Sequence, residues 1–352
     1  MKIGLVYNLI PETLLKEGPI DSIAELDTSE TITLLRKALE AGGHQVVLIE
    51  ANGEIFSRLK SIKDKIDIVF NIAEGLVGEI RESQVPILCE ALNIPYTGSG
   101  PLTLGLCLNK ARAKEVMNYH HILTPKFQVI TSAHAPIDKK LHYPLIVKLN
   151  EEGSSKGLAY DSVVYDEPAL RKKASYLLQT YREKILIEEY INGREFTVPV
   201  FGNDPPIVLP IIEIIYDKVP PNLPQISLFV PDDPVLEIIE RLHRPIPNTE
   251  LNHSTICPAE LETKLERKIQ RTAIKAYQAL GCRDWCRMEF RLDQQGGLYL
   301  LELNPIAGID PSYHFPHSAR VYGLSYEALI NRILEYAITR YRFHTPVRSV
   351  PQ

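Results

Sequence analysis

Apolar residues in the first third of the chain fall into short runs separated by amphipathic stretches. KIGLVYN at 2–8 reads as a buried strand. SETITLLRKALEAGGHQVVLIEA reads as a capped amphipathic helix, a Gly-Gly stop and a second strand. IDIVFNI gives a third strand, and SQVPILCEALNIPYTG a helix and a short strand. Strand–helix–strand order predicts parallel strands with right-handed crossovers, an open α/β sheet over residues 1–107. Ligands of such sheets sit at the carboxyl ends of the strands, and two of those ends are polar here, AEGLVGEIRESQ and GSGP at 98–101. The first strand runs into NLIPETLLKEG with no GxGxxG, which weighs against a dinucleotide fold.

The pattern then changes. Over 108–185 the sequence predicts the helix LNKARAKEVMNYHHILTP, then a strand, a Gly/Ser loop and a second strand within YPLIVKLNEEGSSKGLAY. From 186 to 352 it predicts strand ILIEEYI, a turn at NGRE and strand FTVPVFG. A proline-rich stretch at 219–250 reads as a long surface loop or lid. A helix at 258–280, strands WCRMEFRLD and LYLLELN joined by QQGG, and a C-terminal helix SYEALINRILEYAITRY complete the chain.

Candidate chemistry sits inside these apolar strands. Counting outward from the QQGG turn brings Glu289 and Glu302 close together across a hairpin. Neighbouring carboxylates repel unless a cation lies between them, and hard oxygen ligands suit Mg²⁺; a solvated, ordinarily charged edge is the alternative. EEGSSKG, with Lys148 just before it, offers small residues and free amides to an anion, although it lacks the Walker pattern. Glu188, Glu189 and Glu195 flank a strand-to-turn segment that could read an adenine amino group and a ribose, or could simply be surface charge.

Composition narrows the class. With 39 basic and 44 acidic residues the 352-residue chain carries a net charge of −5, so nothing draws it to nucleic acid in general. No run of eighteen apolar residues and no signal-like leader stands in the sequence, so a soluble cytoplasmic protein is expected. Five cysteines without CxxC spacing read as buried free thiols.

Taken in order, Lys110 before its helix, IVK with EGSSKG, EEYINGRE, RME and LELNP resemble the ATP-grasp fold, and most closely the D-alanine–D-alanine ligase family. The resemblance implies a pre-ATP-grasp α/β domain at 1–107, a central lobe at 108–185 and a C-terminal lobe at 186–352, the two α+β lobes clasping ATP. It implies that Lys110 and Lys148 touch the phosphates, with Ser154 and Ser155 lying over phosphate and substrate. Glu188 would take the adenine amino group, the backbone near Glu189 and Ile191 the ring edge, and Glu195 the ribose. Glu289, Glu302 and Asn304 would hold two Mg²⁺ (or Mn²⁺), with Glu289 in a position that is usually aspartate. Arg287 and the Gly308 N–H would face the reacting carbonyl. The implied partners are a small acid and an amine, an amino acid or peptide, with a homodimer as one arrangement and neither nucleic acid nor membrane.

The amino-acid side departs from the family pattern. Glu12 stands near, but not in, the motif that holds the first substrate's ammonium; Glu74-Gly75 replaces histidine-glycine; Tyr313 and His314 fall where a serine segment is expected. Three readings follow. One is a carboxylate–amine ligase with other substrates, the second an authentic D-alanine–D-alanine ligase, and the third a nucleotide-binding scaffold.

Overall fold

The computed structural model describes residues 1–10, 19–75, 77–231, 236, 239 and 251–343. Glu12 and most of 232–250 lie outside the described residues.

The first lobe is a parallel sheet in the order β2-β1-β3, formed by β1 (Lys2–Tyr7), β2 (Gln45–Glu50) and β3 (Ile68–Asn71). IPYTG adds a parallel bridge between Tyr96 and Val69. Helices α1 (Ser29–Ala41), α2 (Ile55–Ile62) and α3 (Gln84–Leu92) connect and cover the strands. Thr28 caps α1 by accepting the Thr31 N–H, as the sequence anticipates. Two further helices, α4 (Pro101–Leu108) and α5 (Lys110–Tyr119), lead out of this lobe.

The second lobe is an antiparallel sheet, β4-β7-β5-β6, built from β4 (Phe127–Ile130), β5 (Leu145–Leu149), β6 (Val163–Val164) and β7 (Ile185–Glu189). Helix α6 (Glu167–Tyr181) packs on it through Leu170, Ala174 and Leu177. The third lobe joins β8 (Gly193–Phe201), β9 (Ile207–Val208), β10 (Ile212–Ile215), β11 (Ser254–Ile256), β12 (Trp285–Asp293) and β13 (Leu298–Asn304) into a second antiparallel sheet. Helix α7 (Thr263–Ala279) covers one face of that sheet, and α8 (His314–Val321) and α9 (Tyr326–Phe343) end the described chain. This is the mixed α/β and α+β architecture expected from the sequence.

The cores move the expected boundaries. β7 stays in the second sheet, so that lobe ends after Glu189 rather than at 185. α5 buries Ala113 and Met117 in the core of the third lobe, not the second. α9 buries Ile330, Ile333 and Leu334 against Leu35 and Leu39 of α1, so the chain's last helix returns to the first lobe. Sequence periodicity identifies these apolar faces but cannot say which partner each one meets.

The proline-rich stretch also departs from a surface loop. Ile226 and Leu228 are buried against Ile146 and Val163 of the second lobe, while Phe229 and Ile239 pack with Ile20 and Ile23 of the first. Its described parts therefore span from one lobe to the other.

A polar knot locks the first and third lobes. Fully buried Asp284 accepts from the Gly98 N–H at 2.7 Å, from Asn203 Nδ2 at 2.9 Å and from Arg340 Nη2 at 2.8 Å. Asp284 has φ +65°, a conformation that Asn also tolerates. Asp284→Asn therefore isolates the charge, leaving Arg340 in its buried position without a counter-ion. It should lower unfolding stability by about 3–5 kcal/mol in urea titrations; a loss below about 1 kcal/mol would show that the ion pair is not what joins the lobes.

Candidate active site

Strand alternation sorts core residues from site residues. On β5, Leu145, Val147 and Leu149 enter the core of the second lobe, which turns Ile146 and Lys148 to the opposite face. On β7, Ile185 and Ile187 face the core and Glu188 the cleft. On β12, Cys286, Met288 and Phe290 are core, so Arg287, Glu289 and Arg291 share the other face. The cleft between the two antiparallel sheets is thus lined with charge from both sides, including Lys110, Lys148, Glu188, Glu289 and Glu302.

Glu188 is the most deeply held of these, at 2% exposure. One carboxylate oxygen lies 2.6 Å from Lys148 Nζ and the other 2.9 Å from Lys114 Nζ. Burial pushes its carboxyl up, but the two ammonium groups outweigh that and hold it at about 2. Lys114 sits one helical turn after Lys110 on α5 and also donates to Thr124 Oγ1 at 2.8 Å. The sequence reading missed Lys114, although i,i+4 spacing from Lys110 puts both on one helix face. The resemblance gave Glu188 to an adenine amino group; here both of its oxygens face lysines.

Glu289 and Glu302 are direct cross-strand partners, as the count from the turn suggests. The route to that pairing differs. Phe290 pairs with Leu300 and Glu289 with Glu302, so Leu301 is the extra residue of a β-bulge. The bulge keeps Leu298, Leu300 and Leu303 all in the core while Leu301 and Glu302 face the cleft. Glu289 Oε1 accepts from Arg287 Nε at 2.7 Å and Oε2 from Thr197 Oγ1 at 2.6 Å. Burial raises the Glu289 carboxyl despite Arg287. Burial acts the same way on Glu302, yet Lys110, Lys148 and Arg287 bring its carboxyl below the usual range. Lys110 Nζ stands 3.5 Å from Glu302 and donates to the Glu152 carbonyl. Asn304 pairs in register with Arg287.

These donors fit a hard divalent ion whose shell is shared. Among the described residues no group of three His, Cys, Asp or Glu side chains is close enough to hold a metal alone. Mg²⁺, however, takes one or two carboxylates and completes its octahedron with water and phosphate oxygens. Glu302, with only Lys110 at 3.5 Å, keeps acceptor capacity for such an ion.

The expected nucleotide contacts are brought to one end of the cleft. Glu195 accepts from Tyr216 at 2.8 Å and from Arg291, and the Ile191 carbonyl accepts from Arg291 Nη1 at 3.0 Å. Glu189 turns to His142 at 3.0 Å and Lys126 at 3.6 Å. An added Cβ at Gly193 would lie 2.0 Å from the Leu292 carbonyl oxygen, so the crossing from β7 to β8 requires glycine.

The Gly/Ser loop is occupied in a way the sequence does not reveal. Ser154 and Ser155 both adopt positive φ, +48° and +58°, a left-handed conformation uncommon outside glycine and concentrated at functional sites. The Gly153 N–H donates to Glu25 Oε1 at 2.6 Å and the Gly157 N–H to Asp21 Oδ2 at 2.7 Å. First-lobe carboxylates thus dock on loop amides suited to anions. Arg81 joins the same network, 2.5 Å from Glu25 and 3.1 Å from Glu152.

Glu74 and His314 both interact electrostatically with Arg287, and Tyr313 lies against Gly308. The Tyr313 ring lies so close to Gly308 that a Cβ there would fall 2.5 Å from it. The His314 ring centroid is 6.4 Å from that of His253, and burial, then Arg287, pulls its imidazole down to about 3, so it is neutral at physiological pH. Glu74 is half-buried near Glu25, Glu82, Asp27 and Arg81. The first-lobe residues Glu25, Asp27 and Glu82 were not singled out from sequence; only the GEIRES segment around Arg81 and Glu82 signalled them.

The Glu188 triad has a pH signature. A carboxyl held below its unfolded value near 4.5 contributes stability that is complete above that pH and is lost as pH falls toward about 2. Glu188→Gln should cost about 3–5 kcal/mol at pH 7 by leaving two buried ammonium groups uncompensated. It should also flatten the acid limb of the stability curve. Equal urea midpoints for variant and parent at pH 7 would contradict this.

Comparison with known proteins identifies the family. A family model described as D-ala D-ala ligase C-terminus matches residues 109–335. The chain is 31% identical over 310 residues to the uncharacterized protein y4sG of Sinorhizobium fredii, covering 86% of each. It is 31% identical over 348 residues to the D-alanine–D-alanine ligase of Carboxydothermus hydrogenoformans, covering 95% of this chain and 97% of that one. The crystal structure of D-alanine–D-alanine ligase from Bacillus anthracis complexed with ATP superposes with a TM-score of 0.71 at 24% identity, covering 97% of this chain and 99% of that one, a likeness of fold. With that fold, and with charged residues of both antiparallel sheets converging on one cleft, the chain belongs to the D-alanine–D-alanine ligase family, ATP-grasp enzymes that form C–N bonds.

Proposed function

We propose that this protein is an ATP-dependent carboxylate–amine ligase that works through an acyl phosphate, with substrates other than a pair of D-alanines. The observation that carries the reaction class is that Lys110 and Lys148 share one cleft with Glu302, whose carboxyl they and Arg287 hold below the usual range. In the proposed reaction a carboxylate oxygen attacks the γ-phosphorus of ATP, and the bond to the ADP oxygen breaks. The amine nitrogen then attacks the acyl carbon and loses a proton as the C–O bond to phosphate breaks. Both steps gather negative charge on oxygens, which Lys110, Lys148 and Arg287 would stabilise from fixed positions. Mg²⁺, held by Glu289, Glu302 and Asn304, would supply Lewis acidity toward the phosphates. Glu188 would act through Lys114 and Lys148, keeping both ammonium groups oriented.

The substrate side supports a departure from D-alanine. Glu74 acts electrostatically on Arg287 and the Tyr313 ring lies against Gly308, and a carboxylate and a bulky ring at these positions would reshape an amino-acid pocket. His314, neutral in its buried place, adds no charge to attract a second carboxylate. The described residues contain no helix long and apolar enough to cross a membrane.

Three outcomes test this reading. Glu302→Gln should lower kcat on the order of 10²-fold with the fold intact by circular dichroism, whereas unchanged turnover would remove the metal assignment. Lys148→Ala should weaken ATP binding by about tenfold, roughly 1.4 kcal/mol, and equal affinity by calorimetry would remove Lys148 from the phosphate site. D-Alanine alone at high concentration should release little ADP; vigorous release, with D-alanyl-D-alanine as product, would restore the ordinary ligase.

A further inference from the structure

In the ligase reading the attacking amine must give up a proton, and none of the groups assigned there can take it. Lys110, Lys148 and Arg287 are cations, while Glu289, Glu302 and Asn304 would be committed to the metal. One acceptor in the third lobe is unused. His253, immediately before β11, is 6% exposed, and among the described residues its buried Nε2 has no hydrogen-bond partner. The state of that nitrogen follows from its neighbours. Asn252 Nδ2 donates to the Ile226 carbonyl at 2.8 Å, which fixes the amide with Oδ1 toward His253. Asn252 Oδ1 lies 3.1 Å from His253 Nδ1, so Nδ1 carries the ring proton and donates it. In a neutral imidazole Nε2 is then the nitrogen with the free lone pair. Burial lowers the pKa of the ring, which keeps it neutral at physiological pH.

Position ties this lone pair to the chemistry. Ile215 pairs with Ser254, so Tyr216 and His253 stand side by side at the ends of β10 and β11, their ring centroids 5.9 Å apart. The Tyr216 hydroxyl reaches Glu195 at 2.8 Å and Ser227 at 3.1 Å, and both of those residues line the cleft. On its other side the His314 ring lies 6.4 Å from that of His253, and His314 interacts electrostatically with Arg287. No hydrogen bond joins the two imidazoles, so neither satisfies the other. Arg287 spends its Nε on Glu289. A buried acceptor without a donor is destabilising in a free protein, and a substrate N–H would relieve it.

We propose that His253 is the general base of the amine step, with Nε2 taking a proton from the attacking ammonium while Asn252 holds the Nδ1–H. This rests on the ligase reading above. Loss of that proton frees the lone pair with which the nitrogen bonds to the acyl carbon. As the C–O bond to phosphate breaks, its electron pair and the second amine proton leave with phosphate. The imidazolium then returns its proton to solvent. Tyr216 and His314 face the ring together with Glu195, Asp217 and Lys218; the two carboxylates favour the imidazolium and Lys218 opposes it. A base held in one tautomer by a neighbouring side chain is the arrangement general-base catalysis needs.

Hydroxylamine separates this step from activation of the acid, because it is largely unprotonated at neutral pH and attacks an acyl phosphate without help from a base. Pairs of D- and L-amino acids are screened for ADP release with ATP and Mg²⁺, and the fastest pair is carried forward. His253→Gln, folded by circular dichroism, should lower kcat/KM for the amine on the order of 10²-fold, while hydroxamate formation stays near the parent rate. Between neutral pH and the pKa of the amine, the parent's kcat/KM should be flat. That of the variant should climb about tenfold per pH unit, since only amine already free of its proton reacts. Equal losses toward amine and hydroxylamine, or no loss toward either, would overturn the proposal and leave the ligase intact. A parent profile that itself climbs tenfold per pH unit would overturn it without any variant. Hydroxamate from an acid that no amine of the panel attacks would remove the amine step and the base with it. Neither ADP nor hydroxamate from any pair would overturn the ligase reading as well.

Discussion

The cleft depends on one buried carboxylate. Glu188 lies on β7 of one sheet, takes Lys148 from the adjacent β5, and takes Lys114 from a helix packed against the other sheet. Two ammonium groups cannot be buried side by side without an anion, and one anion with two oxygens can fix both. The triad therefore ties the second lobe to α5 and through it to the third. Lys110, one turn away on the same helix, is placed by the same constraint beside Glu302. Charge that would destabilise an ordinary core becomes the means by which two sheets keep a fixed distance.

The third lobe shows how a short irregularity serves chemistry. In LYLLELN, strict alternation from Leu298 would send Glu302 to the core with Leu300 and turn Leu303 outward. The extra residue at Leu301 breaks the alternation once, so three leucines stay buried and Glu302 faces Glu289. Facing pairs on β8 and β12 do the rest: Thr197 opposite Glu289, and Glu195 opposite Arg291, each joined by a hydrogen bond. One glutamate of the pair is thus held by neighbours on both sides, while the other keeps capacity for a ligand.

These features differ in how far the sequence revealed them. The alternation in WCRMEFRLD, the hairpin after it and the parallel first sheet were legible because periodicity alone determines which side chains share a face. The bulge was not, since an inserted residue leaves no mark in a run of leucines; the correct pairing of Glu289 with Glu302 came from a count that passed over it. Lys114 was legible in principle from its spacing and was overlooked. Glu25, Asp21 and Asp27 could not be placed, because their positions depend on an irregular segment before α1 that packs against a loop more than a hundred residues away. The family resemblance supplied roles for the nucleotide end but not the ion pairs that occupy Glu188 and Glu195.

The cleft mixes both signs of charge, with Lys110, Lys148, Lys156 and Arg291 standing among Glu188, Glu195, Glu289 and Glu302. In the proposed reaction Lys110, Lys148 and Arg287 would act on the phosphorylated carboxylate whatever side chain the acid carries. The first-lobe carboxylates are tied down by partners: Glu25 is held by Arg81 and the Gly153 N–H, and Asp21 by the Gly157 N–H. The described part of the proline-rich stretch reinforces this: Phe229 and Ile239 cover Ile20 and Ile23, close in sequence to Glu25 and Asp27. Apolar cover beside acidic groups lowers the local dielectric and strengthens every charge contact made there.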